Sequence, residues 1–291
     1  MAGVKEIRDR INSVQETQKI TNAMYLISST KLRKARRELD ETQPYYEALR
    51  ALIARLERHL PDIPSHYFEK PEDADPDRTA AFIVITGDKG LAGAYNHNVL
   101  KLAEEEIGKH RNFRLFVIGE LGRQYFLTHG IKIDEHFAYT AQDPSLHRSR
   151  RIMAHMMNLF DRGEIGEVNL IYTEMKNSLS VQPVMQLLLP LERSVPHGEI
   201  PIDVRQETFR FYPNAETVID AIVPNILNGY IYSALVEAFC SEQNARMMAM
   251  QSANRNAGEL LKDLNVRYNR SRQAAITQEI TEVCSGARAL M

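Results

Sequence analysis

The sequence predicts α/β plus long helices: an antiparallel coiled coil of the N- and C-terminal helices with a central Rossmann-like α/β domain. Two observations carry this. Both ends of the chain space their apolar residues three and four apart, while the middle alternates short apolar runs with helical stretches. A third agrees with them: Gly 14 and Pro 12 among 291 residues is too few for a turn-rich all-β design.

At the N-terminus, Val4, Ile7, Ile11, Val14, Gln18, Thr21, Tyr25, Ser28, Leu32, Ala35, Leu39, Thr42, Tyr46, Leu49, Ile53, Leu56 and Leu60 trace a heptad seam with a weak, polar middle. Pro44 should kink the helix or restart it, and Pro61 and Pro64 should end it. Such a helix is roughly 80–90 Å long, more than a globular core can cover. From Asn214, a predicted N-cap, the C-terminal stretch repeats the pattern through Val218, Ile222, Ile226, Leu235, Phe239, Met250, Leu264, Tyr268, Ile276, Ile280, Val283 and Leu290. Each stripe needs a partner, and each supplies one for the other.

Between them lies an acidic, Pro-bearing linker from Glu69 to Asp77. Residues 80–86, 115–118, 131–137 and 168–173 read as strands, with 184–189 and 204–211 as weaker ones; 96–109, 121–128 and 146–160 read as helices. The expected division is 1–60 helix, 61–78 linker, 79–212 α/β domain and 213–291 helix.

Composition narrows the function. Lys+Arg 36 against Asp+Glu 38 gives a net charge of −2, which is not the balance of a chain that lives on nucleic acid. No apolar run approaches the ~18 uninterrupted residues of a membrane span, and the start of the chain goes directly into charged helical sequence, so a cytoplasmic protein is expected. Cys240 and Cys284 are too few for a disulfide framework.

Gly87-Asp88-Lys89-Gly90-Leu91-Ala92-Gly93 follows a predicted strand and opens a helix, the place where glycine-rich loops cradle phosphate, but its spacing fits neither nucleotide fingerprint. A tight turn that needs glycine for its backbone is the simpler reading. Nine histidines are scattered without ligand spacing, and Ser28-Ser29-Thr30 lacks a nucleophile elbow, so no catalytic or metal set can be assembled. Lys19, Lys31, Arg33, Lys34, Arg36 and Arg37 form a basic stretch without any Asp or Glu between Lys19 and Arg37; it is a solvated face or a site for an acidic protein surface. Met247, Met248 and Met250 are either ordinary seam filling or an adaptable packing surface. Arg272, Gln273, Thr277, Gln278 and Glu279 form a polar band below an apolar tip, and a greasy tip implies a socket.

Residues 7–24, continuing through Ser29-Thr30-Lys31-Leu32-Arg33-Lys34-Ala35, together with Ala245-Arg246-Met247-Met248-Ala249-Met250 and residues 268–280, resemble the γ subunit of the bacterial F-type ATP synthase, the central rotor shaft. The resemblance covers essentially the whole chain. It implies a non-catalytic subunit without cofactor or metal, coupling ion flow by rotation to ATP synthesis or hydrolysis. Its implied partners are the α and β subunits of the catalytic ring, the ε subunit and the membrane c-ring, with no nucleic acid and no small-molecule substrate of its own. The implied location is peripheral, on the cytoplasmic face of the cell membrane. Carried over position by position, Met24 meets the acidic lever loop of β, Arg272 and Gln273 contact a β loop higher up, and Arg246, Thr277 and Glu279 support coupling. The family's Asp-Arg-Gly-Leu turn stands here as Asp88-Lys89-Gly90-Leu91, while Asn22 and Tyr25-Leu26-Ile27-Ser28 depart from its usual pattern. A nucleotide-binding enzyme using the Gly87–Gly93 turn and a basic coiled-coil module for nucleic acid are the competing readings.

Overall fold

A computed structural model describes residues 3–59, 66–68, 78–177, 180–191, 212 and 214–289. Among the described residues nine elements follow one another: α1 (Val4–His59), β1 (Ala80–Ile85), α2 (Tyr95–Ile107), β2 (Phe113–Ile118), α3 (Glu120–Thr128), α4 (Leu146–Asp161), β3 (Glu167–Asn177), β4 (Ser180–Leu189) and α5 (Ala215–Ala289). They group into two compact units, one of residues 1–30 with 246–291 and one of residues 31–245.

In the first unit, the start of α1 and the end of α5 are paired antiparallel. Ile7 and Ile11 close on Leu264, with Val14, Leu261 and Tyr268 around them. Further along α1, Gln18 and Thr21 reach back to Asn254, Gln18 Nε2 donating to its carbonyl at 3.4 Å and the Thr21 hydroxyl to its side-chain oxygen. The polar middle of the seam is therefore a hydrogen-bonded step, which keeps buried polar atoms satisfied where apolar packing is thin. Every seam position from Val4 to Leu49 is buried or half-buried. Beyond Tyr268, α5 carries no buried residue through Ala287, and Ile276, Ile280 and Val283 are exposed.

The second unit is a sheet of order β2-β1-β3-β4, with β1 parallel to both neighbours and β4 antiparallel to β3. β1 is wholly buried, and its alternation divides two cores. Ala81, Ile83 and Ile85 face α4 and the 219–238 stretch of α5; Ala80, Phe82 and Val84 face α2 and Phe126 of α3. A third cluster joins Ala35 of α1 to Tyr232, Val236, Phe239 and Cys240 of α5, with Leu32, Leu39 and Tyr46 packed on it. Gly229 is required here, because a Cβ would fall 2.1 Å from the Tyr46 ring.

Several expectations need correction. Residues 131–137 are not a strand. Their ladder to β2 stops at one bond, Asp134 N–H to Leu115 carbonyl at 2.9 Å, because the Asp134 carboxylate then accepts from the N–H groups of His136 and Phe137 and turns the chain. Pro44 does not restart α1, which runs through it with Leu39 and Tyr46 packed on the same cluster on either side. The β3–β4 hairpin also outruns the apolar run that signals it, reaching Asn177 and Ser180. Asn214 does cap α5, its side-chain oxygen accepting from Thr217 N–H at 2.8 Å. An 18-residue window of α5 reaches a mean hydropathy of 1.2, enough by length and composition to cross a membrane, yet 56% of it is buried inside the protein as a core helix is. The predicted strand 204–211, residues 69–77 of the linker, and Leu60 and Leu290 lie outside the described residues.

Candidate functional site

Strand order 2-1-3 puts a topological switch point at the carboxyl ends of β1 and β3, where doubly wound folds bind ligands. In this chain its own carboxylates stand there. Thr86 and Gly87 leave β1 toward α2, and Gly87 N–H donates to Asn96 Oδ1 at 2.8 Å. A Cβ on Gly87 would stand 3.1 Å from Oε1 of Glu242, a fully buried residue of α5, and the neighbouring Ser241 hydroxyl donates to the Thr173 carbonyl of β3 at 3.0 Å. Helix α5 thus fills the crevice.

The loop after Gly87 is closed in the same way. Asp88 accepts from Glu120 N–H at the start of α3 (3.1 Å), from the N–H groups of Ala141 (3.1 Å) and Gln142 (3.3 Å), and from the Thr140 hydroxyl. These are the convergent donors that a phosphate would use. The adjoining glycine, Gly119, is held at φ +97, and a Cβ on it would fall 2.3 Å from the Thr86 carbonyl oxygen. The Gly87–Gly93 segment is therefore a turn stapled by an internal anion. Glu242 escaped sequence reasoning, although Ser241-Glu242-Gln243-Asn244, four buried polar residues interrupting an apolar helix, was a legible signal.

The six residues expected to meet partners all belong to the first unit. Met24 is half-buried on α1, and Arg246 is 8% exposed on α5. Arg272, Gln273, Thr277 and Glu279 are exposed beyond the region where α5 is covered, Thr277 donating its hydroxyl to the Gln273 carbonyl at 2.9 Å. The same stretch presents Ile276, Ile280 and Val283 at 47%, 59% and 72% exposure, an apolar stripe that none of the described residues covers. The basic residues Lys31, Arg33, Lys34, Arg36 and Arg37 are exposed as well; Lys31 bonds Gln142, Lys34 pairs with Glu38 at 3.8 Å and Arg37 with Glu41 at 2.9 Å, so part of this charge is neutralised locally. Cys240 is buried, and desolvation outweighs the opposing influence of Arg36 to push its thiol up to about 12; Cys284 is exposed on the same helix. Among the described residues, no group of three His, Cys, Asp or Glu could hold a metal ion.

These features define a class: proteins with two long terminal helices paired antiparallel and a Rossmann-like α/β body inserted between them in sequence. Residues 3–290 match the family described as ATP synthase. The chain is 41% identical over 290 residues to the ATP synthase gamma chain of Ruminiclostridium cellulolyticum, covering 99% of this chain and 98% of that one. It is 40% identical to that of Acetivibrio thermocellus, covering 100% of both. Among solved structures, it is similar to a chain of the Euglena gracilis mitochondrial ATP synthase OSCP/F1/c-ring assembly, with TM-score 0.68 at 16% identity over 99% of this chain and 94% of that one. A chain of the Tetrahymena thermophila central stalk and c-ring gives TM-score 0.58 at 22% identity, over 80% of this chain and 99% of the other. The chain belongs to the family of ATP synthase gamma chains, the central stalk subunits of F-type ATP synthases.

Proposed function

We propose that this chain is the rotating shaft that couples ion flow through a membrane ring to ATP synthesis and hydrolysis on a ring of alternating α and β subunits, doing no chemistry itself. In this reading, residues 1–60 and 213–291 form the shaft, 79–212 the body that meets ε and the c-ring, and 61–78 the connection. The complex sits on the cytoplasmic face of the cell membrane. Met24 faces the acidic lever loop of β; Arg272 and Gln273 engage a β loop higher up, and Arg246, Thr277 and Glu279 support coupling. A shaft without threefold symmetry offers each β subunit different contacts, and differential contact free energy is what shifts nucleotide affinity between otherwise identical sites.

The observation that carries the proposal is the uncovered end of α5. Its polar residues Arg272, Gln273 and Thr277 alternate with the exposed Ile276, Ile280 and Val283, a surface suited to an apolar socket with a polar collar. The nucleotide-enzyme reading is disfavoured by Glu242 and Asp88, whose carboxylates stand where a phosphate would have to enter. The test is steady-state ATPase activity of α and β subunits alone, with the full chain, and with a chain ending at Gln278. The full chain should raise multisite turnover, and the truncated chain should raise it less. ATP hydrolysis by the isolated chain, or no stimulation of a competent α–β ring, would overturn the proposal.

A further inference from the structure

Within the first unit, a polar layer interrupts the apolar seam between α1 and α5. Ile7, Ile11 and Leu264, with Val14, Leu261 and Tyr268, close the seam on the side of the chain's start. One heptad beyond Ile11 and Val14 on α1 stand Gln18 and Thr21, and one heptad before Leu261 on α5 stands Asn254; all three are half-buried. The Thr21 hydroxyl bonds the Asn254 side-chain oxygen, and Gln18 Nε2 donates to the Asn254 carbonyl at 3.4 Å. A Cβ on Gly258 would stand 3.9 Å from that same Nε2, so the Gln18 amide lies against the α5 backbone at a residue without a side chain. Thr21 does not need Asn254 for its own satisfaction, since the Gln18 and Thr17 carbonyls of its own helix lie 3.1 and 3.2 Å from its hydroxyl. The layer is therefore more than the rescue of a stranded polar atom.

We propose that Gln18, Thr21 and Asn254 are positioning residues for rotary coupling: they lock the register of α5 against α1, and with it the relative places of Met24 and Arg246. The lock follows from the geometry, and its consequence for coupling rests on the shaft reading of this chain. Directionality sets the layer apart. Hydrophobic contact has no preferred direction, so the packing of Ile7 and Ile11 on Leu264 keeps most of its burial when one helix slides slightly along the other. Hydrogen bonds do not. A slide of one residue's rise, about 1.5 Å, takes a bond already at 3.4 Å out of range. A polar residue at one seam position is the device by which coiled helices specify register, at some loss of stability. Met24 follows Thr21 by about one turn of α1, and Arg246 precedes Asn254 by about two turns of α5. Both belong to the same unit as the layer, so a slip there displaces one contact residue against the other.

The experiment compares the parent with Thr21→Val combined with Asn254→Leu, which makes the seam continuously apolar. Spin labels on Asp9→Cys and Gln251→Cys, both exposed and offset along the helices, report register by pulsed electron paramagnetic resonance, with Cys284→Ser removing the exposed thiol. The parent should give one narrow distance, and the double variant a broadened or shifted one, while melting no lower than the parent. In vesicles carrying the complete enzyme, the variant should hydrolyse ATP within about twofold of the parent rate but pump at least twofold fewer ions per ATP. Thr21→Ser, which keeps the hydroxyl, should behave as the parent in both assays. Should the double variant misfold, Thr21→Val alone carries the same expectations, because it exchanges a hydroxyl for a methyl of like shape. An unchanged narrow distance, undiminished pumping per ATP, or a coupling loss that only follows a lowered melting temperature would overturn the proposal. A parent chain that supports no ATP-driven pumping would instead overturn the shaft reading, and the distance measurement would still decide the lock.

Discussion

Replacing Asp88 by alanine removes a single carboxylate on which three backbone N–H groups and one hydroxyl converge. Hydrogen bonds to a charged group contribute about 1.5–3 kcal/mol each when buried, but the Glu120 and Thr140 donors are exposed and water can replace Asp88 there. The unreplaced loss falls on Ala141, which is buried, and Gln142, which is half-buried, with a smaller loss of charge at the start of α3. Together these give about 2–3 kcal/mol, or a melting temperature lower by about 5–10 °C for a unit of this size. Asp88→Asn keeps one acceptor oxygen and should lose about half as much. Because the donors remain in place, the alanine variant becomes an anion site. Sulfate at fixed ionic strength should restore its melting temperature by several degrees beyond the shift it causes in the parent, as differential scanning calorimetry can measure. If Asp88→Ala melted like the parent and responded no more to sulfate, the internal-anion explanation of the Gly87–Gly93 turn would be refuted.

Ile11→Asp places an unpaired charge where Ile11, 9% exposed, packs with Ile7 and Leu264, and should cost about 3 kcal/mol or more with a fall in helix content on thermal melts followed by circular dichroism. Burial, with a further push from Glu174, holds the carboxyl of Glu237 on α5 at about 7 when folded against 4.5 in its ordinary state, so the parent loses stability as pH rises between these values; Glu237→Gln should therefore match the parent near pH 5 and exceed it by about 1–2 kcal/mol near pH 8, after allowing for solvent at this half-buried residue. A variant equal to the parent across that range in urea titrations would count against the burial of this carboxyl. Arg272→Ala with Gln273→Ala, both exposed, should leave melting unchanged while lowering ATP synthesis in membrane vesicles, and wild-type synthesis would remove these residues from the coupling surface.

The elements that could be read from the sequence are those whose signal is local. The wholly buried strand Ala80–Ile85 needs no context, because an apolar run of that length bounded by a glycine turn has few other uses. The seam residues Ile7, Ile11 and Leu264 likewise declare themselves by spacing, and Asn214 by its chemistry as a cap. Residues 131–137 misled because alternation predicts a strand only where a neighbour completes the ladder, and Asp134 turns the chain first. A restart at Pro44 fails for the opposite reason, since packing of Leu39 and Tyr46 on one cluster outweighs the lost backbone bond. Of the candidate site, the exposed polar band and the stripe at Ile276, Ile280 and Val283 were legible, because an amphipathic helix that outlasts its partner shows it in sequence. The closing of the switch point by Glu242 was not, since it joins residues 155 positions apart in number, Gly87 and Glu242, and no local pattern encodes such a contact.

The most direct test of the rotor assignment is rotation itself. With the α–β ring fixed to a surface, Cys284→Ser removing the exposed thiol and Asn98→Cys on the exposed face of α2 supplying a new one, a probe can be attached to the body of the chain. Addition of ATP should drive continuous rotation of the probe in one direction, stopping when ATP is exhausted. A probe that only fluctuates in place while the ring hydrolyses ATP at its full rate would contradict the assignment.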